Sequence, residues 1–184
     1  MLAAAPVHAR AAQVRIARVA TPVATLEQVR VRLDWPEGAA TGELQVWAGK
    51  VDAADLGYRY RDLHWRCPLR RAAHDGWQCD GALRAGMAAP LRLAVQFDAA
   101  TTQASLAKGD ARFTLDRSAA TPDLTSLDLT RVPMAWAQAL LAQAWPAARL
   151  TGGQLDASLA IEAPANRPLR ISGQLRPRRL GLET

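Results

Sequence analysis

The sequence lacks the residue patterns that mark common catalytic and cofactor sites. It has no Gly-x-Ser-x-Gly elbow, no His-Glu-x-x-His helix and no phosphate-binding glycine-rich loop. The three histidines, His8, His64 and His74, lie far apart, and none has an evident partner in the sequence. These absences predict a protein that is not an enzyme and that holds neither a metal nor a cofactor.

Cysteine is also scarce, since Cys67 and Cys79 are the only two. They flank a turn-rich segment around Ala73, and a hairpin centred there would bring the two positions face to face. Trp65 and Trp77 share their parity and could cover the bond. We therefore expect a disulfide, which favours an exported protein. Two free core cysteines are the alternative, and a zinc site is disfavoured because no paired histidine accompanies them.

Long apolar runs are absent too. No window reaches the 18 or more apolar residues of a membrane-spanning helix. Residues 1–12 are apolar and alanine-rich, and Ala9-Arg10-Ala11 has the small-x-small form that signal peptidase accepts. We interpret residues 1–12 as a signal-sequence remnant and residues 13–184 as a single β domain.

Acidic residues are outnumbered, and lysine is rare. The chain has 23 basic and 17 acidic residues, and Lys50 and Lys108 are the only lysines. A basic surface favours anionic partners such as phospholipid headgroups, whereas an ordinary solvated surface is the plainer explanation. Nucleic acid is not expected, because the arginines are dispersed and no recognition pattern accompanies them.

What the sequence has in abundance is strict alternation of apolar and polar residues, the pattern of half-buried strands. It is clearest in two segments, whose apolar residues are Val29, Val31, Leu33, Leu91, Leu93, Val95 and Phe97. Similar runs recur along the chain and predict roughly a dozen strands in an antiparallel meander. One segment differs: Pro133 followed by Trp136, Leu140 and Leu141 predicts a short helix over 133–144.

The predicted strands share an apolar face that one short helix is too small to cover. We therefore expect an all-β fold with a curved, mostly antiparallel sheet, arranged like a taco, a sandwich or a barrel. If the sheet is open, its apolar interior is a binding surface lined by the seven residues named above. Tryptophan and arginine suit the boundary between an apolar surface and water, and the residues expected at the rim are Trp35, Trp47, Arg30, Arg32 and Arg92.

One stretch resembles a known family. A strand, a short helix and a second strand that opens with glycine follow one another here, as in the AsmA-like envelope proteins, which are relatives of the bridge-like lipid-transfer proteins. The first strand has the pattern Leu127-x-Leu-x-x-Val-Pro-x-x-Trp, and the second has the pattern Leu150-x-Gly-Gly-x-Leu-x-x-x-Leu-x-Ile. The type II secretion system N component has a similar texture and a closer size. Family members are usually longer and carry an N-terminal membrane helix, and this sequence shows neither feature.

The resemblance implies a location in the periplasm of a Gram-negative bacterium and a groove that shields lipid acyl chains. Lipid or anionic lipid headgroups are then the expected partners. The alternative is a scaffolding component of a type II secretion system, in which exposed strand edges pair with envelope or secretion proteins.

Overall fold

The structure is a computed structural model that describes residues 9–20, 24–53, 58–138, 147, 149–164, 166–168 and 170–183. These residues form eleven strands and one 3₁₀ turn. The strands are β1 Ala9–Ala20, β2 Thr25–Pro36, β3 Thr41–Ala53, β4 Tyr58–Arg71, β5 Trp77–Ala85, β6 Leu91–Phe97, β7 Thr101–Lys108, β8 Ala111–Ser118, β9 Leu124–Pro133, β10 Arg149–Glu162 and β11 Arg170–Glu183.

All eleven strands belong to one sheet whose spatial order is the order of the chain. Every neighbouring pair is antiparallel, as short connections between successive strands require. The sheet is open and curved, so β1 and β11 each pair on one side only. The predicted all-β antiparallel fold is confirmed, and the described strands form neither a closed barrel nor a two-sheet sandwich.

The N-terminal boundary expected from the sequence falls inside a strand. β1 begins at Ala9, and residues 9–12 pair with residues 33–36 of β2. Residues 1–8, which include His8, lie outside the described residues. The signal-sequence interpretation stays a prediction.

The predicted helix is seen only at its start. Met134–Ala137 form a 3₁₀ turn, and Gln138 that follows has helical φ and ψ angles. Pro133 ends β9 with ψ of 132°, so it precedes the helical residues instead of occupying their first position. Leu140 and Leu141 lie outside the described residues.

Two groups of strand residues have positive φ. Gln28 on β2 and Asp62 on β4 have φ of 55° and 53°, and they lie level with each other across β3. Arg131 on β9 and Arg179 on β11 form the second group, with φ of 49° and 52°. A left-handed residue breaks the alternation of a strand, and the apolar pattern changes parity at these points, for example between Leu26 and Val29.

The described residues form no large dry core. Among the described residues, the buried apolar side chains are no larger than valine, and no polar residue is buried. They are Val29, Ala48, Ala53, Cys67, Cys79, Ala111, Val132 and Ala157. A single open sheet has no second layer, so its larger apolar side chains are shielded only by their neighbours on the same face.

Candidate functional site

The apolar side chains form one continuous face because the strand register aligns them. Val31 on β2 pairs with Val46 on β3, Val46 pairs with Trp65 on β4, and Trp65 pairs with Leu83 on β5. Leu83 continues this row by pairing with Leu91 on β6. We call the surface formed by this row and its neighbours of the same parity the apolar face.

The seven groove candidates all belong to the apolar face, but they occupy two separate strands. Val29, Val31 and Leu33 lie on β2, and residues 91–97 contribute the other four from β6, so β3, β4 and β5 lie between the two groups. Val29 is only 6% exposed and is packed within the sheet, whereas Phe97 is 45% exposed. The role of these residues in binding stays a prediction.

The apolar face extends beyond the two strands chosen from the sequence. A second row runs from Leu93 on β6 through Leu106 and Phe113 to Leu129 on β9. The same alternation that singled out β6 is present in these strands. Sequence reasoning could have named them as part of the surface, because every strand of a one-sided sheet contributes to the same face.

Two tryptophans close one end of the apolar face. The rings of Trp35 on β2 and Trp77 on β5 meet edge to face with centroids 5.6 Å apart. The Arg71 guanidinium lies 5.0 Å from the Trp77 ring centroid, and Trp35 Nε1 donates a hydrogen bond to the carbonyl of Ala39 at 3.1 Å. A cavity of about 460 Å³ opens here, and Arg10 and Arg71 are among its lining residues. Aromatic walls in a cavity lined by two arginines can accept an apolar chain that ends in a negative charge.

Of the five rim candidates, only Trp35 lies on the apolar face. Arg30, Arg32, Trp47 and Arg92 alternate with apolar-face residues on β2, β3 and β6, which places them on the opposite, polar face. The alternation of the sequence already places the three arginines on that face, and the role of all five residues at a rim stays a prediction.

The polar face has a cavity of its own. A volume of about 560 Å³ lies over β4 to β8 and is lined mainly by polar side chains, including Gln78, Gln96 and Gln103. Arg92 takes part in this cavity and binds Asp80 through two hydrogen bonds of 2.8 and 2.6 Å. The bond from Arg92 lowers the pKa of Asp80, although desolvation of the carboxyl partly opposes this effect.

The disulfide between Cys67 and Cys79 is present, with Cα atoms 5.5 Å apart. The two strands pair with a register centred on His74 and not on Ala73, so Cys67 lies level with Gly81, and Cys79 pairs with Leu69. The bond is therefore diagonal across the hairpin. A Cβ at Gly81 would lie 2.7 Å from the Cα of Cys67, so glycine is required for this close approach.

The two tryptophans that were expected to cover the disulfide make their observed contacts elsewhere. Trp65 Nε1 donates a hydrogen bond to the Leu93 carbonyl of β6 at 3.2 Å, and Trp77 packs on Trp35. The sulfur atoms are nevertheless shielded, because Cys67 and Cys79 are 1% and 3% exposed.

His64 and His74, the two histidines in the described ranges, have different surroundings. His64 stacks on Trp47 with ring centroids 4.9 Å apart, and His74 lies in the β4–β5 turn with φ of 56°. No group of three or more His, Cys, Asp or Glu side chains in the described ranges could hold a metal ion. No helix among the described residues is long and apolar enough to cross a membrane.

Comparison with protein-family models, with curated proteins and with solved structures finds no match to this chain. The two faces of the sheet and its edges are therefore the features from which we infer a function.

Proposed function

We propose that the protein binds lipid non-covalently on its apolar face and shields the acyl chains from water in the periplasm of a Gram-negative bacterium. The observation that carries this proposal is the apolar face itself. Eleven strands contribute apolar side chains to it, and the described residues supply no second layer to cover it. Uncovered apolar area is unfavourable in water by about 25 cal/mol per Å², and acyl chains would remove that cost.

The cavity at the tryptophan end supports a ligand with a charged headgroup. Its lining residues include Trp35, Trp77, Arg10 and Arg71, and the Arg71 guanidinium lies over the Trp77 ring. No ion pair joins either arginine to a carboxylate within the described ranges. An anionic headgroup would therefore find unneutralised positive charge beside the apolar surface. The disulfide is compatible with an exported protein.

The experiment compares two charged substitutions on the same strand. Val95→Asp places a carboxylate on the apolar face of β6, and Gln96→Asp places one on the polar face. Lipid that co-purifies with the wild type is identified by mass spectrometry, and binding is measured by displacement of a fluorescent phospholipid. We expect Val95→Asp to lose bound lipid and Gln96→Asp to keep it. Absence of lipid from the wild type, together with no fluorescent binding, would contradict the proposal.

A second candidate function is binding of partner proteins through the strand edges, as in a scaffolding component of a type II secretion system. β11 pairs only with β10, and its apolar residues are well exposed: Ile171 60%, Leu175 61% and Leu180 52%. An edge strand with free backbone groups and exposed apolar side chains is a template for strand addition.

A photo-crosslinking residue at Leu175 tests this candidate in periplasmic extract. Crosslinking to secretion components, with no lipid bound to the purified protein, would favour the scaffolding role over lipid binding. The control carries the same crosslinker at Thr114, on the polar face of the central strand β8. Equal products from both positions would argue against a contact through the strand edge.

A further inference from the structure

The polar face of β1 to β5 carries a row of side chains with three arginines. Strand pairing places Arg15 opposite Arg30, Arg30 opposite Trp47, Trp47 opposite His64, and His64 opposite Arg84. We call these five residues the basic row. Cross-strand partners lie on the same face of a sheet, so the five side chains share the polar face.

The arginines of the basic row lack the counter-ions that their neighbours have. One register step away, Arg32 pairs with Asp34 at 2.8 Å, and Arg66 pairs with Glu43. Arg15, Arg30 and Arg84 make no ion pair with any described carboxylate. Two unpaired guanidinium groups directly opposite each other, as at Arg15 and Arg30, repel one another. The row therefore has a net positive charge that the described residues leave unneutralised.

The charges of neighbouring arginines also act on His64. Its pKa is lowered first by burial and then by the charges of Arg66 and Arg84, and no carboxylate acts in the opposite direction. Nε2 of His64 is buried and has no hydrogen-bond partner among the described residues. The imidazole is stacked on Trp47 with an interplanar angle of 3°. The positive charge of the row comes from its three arginines.

The length of the basic row limits what can bind along it. Adjacent strands are about 4.8 Å apart, so Arg15 and Arg84 are separated by four spacings, or about 19 Å. One small anion can contact Arg15 and Arg30 together, but it cannot reach Arg84 as well. An extended array of negative charges matches the row, and tryptophan among the arginines suits a membrane interface.

We propose that the basic row docks the polar face of the sheet on an anionic phospholipid surface. This inference concerns the face opposite to the proposed acyl-chain site and stands without it. Nucleic acid is a poorer match, because one face of Trp47 is already occupied by His64 and is closed to a stacking base.

The test is co-sedimentation of the purified chain with vesicles of phosphatidylcholine alone and of phosphatidylcholine mixed with phosphatidylglycerol. We expect binding only to the anionic vesicles, and weaker binding as the salt concentration rises. Neutralising the three arginines as Arg15→Gln, Arg30→Gln and Arg84→Gln should lower the vesicle partition coefficient roughly 100-fold. The three corresponding lysine substitutions should retain most of the binding, because the charge remains.

The matched control removes three exposed arginines elsewhere, as Arg112→Gln, Arg167→Gln and Arg170→Gln. The control variant and the basic-row variant lose the same amount of positive charge. If both lose the same amount of vesicle binding, the attraction is non-specific and the proposal is overturned. Equal binding of the wild type to neutral vesicles, or binding to single-stranded DNA with none to anionic vesicles, would also overturn it. Val95→Asp separates the two lipid proposals, since it should lose the bound acyl ligand and keep vesicle binding.

Discussion

Trp35 and Trp77 meet edge to face at 5.6 Å across the width of two intervening strands, β3 and β4. The contact is possible because Gly42 on β3 lies against the Trp35 ring, and a Cβ at this position would clash with Trp35 Cε3. The pair thus depends on the absence of one side chain.

Gly42→Ala should displace the Trp35 ring and separate the two tryptophans. We expect a loss of about 1 to 3 kcal/mol in the free energy of unfolding, measured by urea denaturation, because the added carbon has no space. Gly152→Ala is the control, since a Cβ at Gly152 would meet no atom within 4 Å. Equal stability of Gly42→Ala and the wild type would show that the ring is not held over Gly42.

Removing the disulfide should cost about 3 kcal/mol, since the bond closes a loop with a sequence separation of 12. The measurement is urea denaturation of the Cys67→Ala, Cys79→Ala double variant. The wild type in a reducing agent should match this variant, and the reducing agent should leave the variant itself unchanged. Stability that does not respond to reduction in the wild type would contradict a bond between Cys67 and Cys79.

The fold could be predicted from the sequence because alternation is a local property. The run from Leu91 to Phe97 predicts a strand with one apolar face, and the structure has β6 at those residues. The register between strands is harder to predict from the sequence, because a change of one residue in the turn shifts the pairing of the whole hairpin. In the β4–β5 hairpin, His74 and Asp75 both adopt positive φ, and the pairing is centred one residue later than expected.

The alternation predicts the apolar face for the same reason, but it does not determine which residues border that face. Whether a residue borders the apolar face depends on its position across the sheet, which requires the strand order and register. Trp35 and Trp47 both lie near the ends of apolar runs, yet the first packs on Trp77 and the second stacks on His64 of the opposite face. The basic row likewise cannot be recognised in the sequence, because the pairing of five strands brings its residues together.

Within the apolar face, truncation of a half-buried side chain should be tolerated better than truncation of a buried one. Val29 is 6% exposed, so we expect Val29→Ala to cost about 2 kcal/mol. Leu93 is only half-buried, and Leu93→Ala should cost about 1 kcal/mol although it removes more atoms. Thermal denaturation without phospholipid measures the loss of stability in each variant. The same measurement with phospholipid gives the stabilisation by the ligand. A loss of about 4 kcal/mol for Leu93→Ala would indicate a closed core instead of an open face.

Asp98 should make the β6–β7 turn sensitive to acid. Its Oδ1 accepts hydrogen bonds from the backbone N–H groups of Thr101 and Ala100, both at 2.7 Å. These bonds, with Thr101 contributing most, lower the pKa of Asp98 below its usual value of 3.8. A lowered carboxyl pKa stabilises the fold above the unfolded pKa, and this stabilisation is lost as pH falls through the folded pKa.

The stability difference between the wild type and Asp98→Asn should therefore be largest at neutral pH and should shrink below about pH 4. Urea denaturation at a series of pH values measures it. Asp123→Asn is the control, because no hydrogen bond joins the Asp123 carboxylate to a described residue. A difference between wild type and Asp98→Asn that grows on acidification would contradict the assignment.

Gln28 occupies a backbone conformation that suits glycine better than glutamine. Its φ of 55° lies in the left-handed region, where a Cβ is unfavourable by about 1 kcal/mol. Gln28→Gly should therefore raise the free energy of unfolding by up to about 1 kcal/mol, measured by urea denaturation. Gln96→Gly, in the regular strand β6, should lower it by about 0.5 to 1 kcal/mol, because glycine weakens an extended strand. If both substitutions destabilise equally, β2 is regular at Gln28, and the change of apolar parity between Leu26 and Val29 does not arise from a left-handed residue.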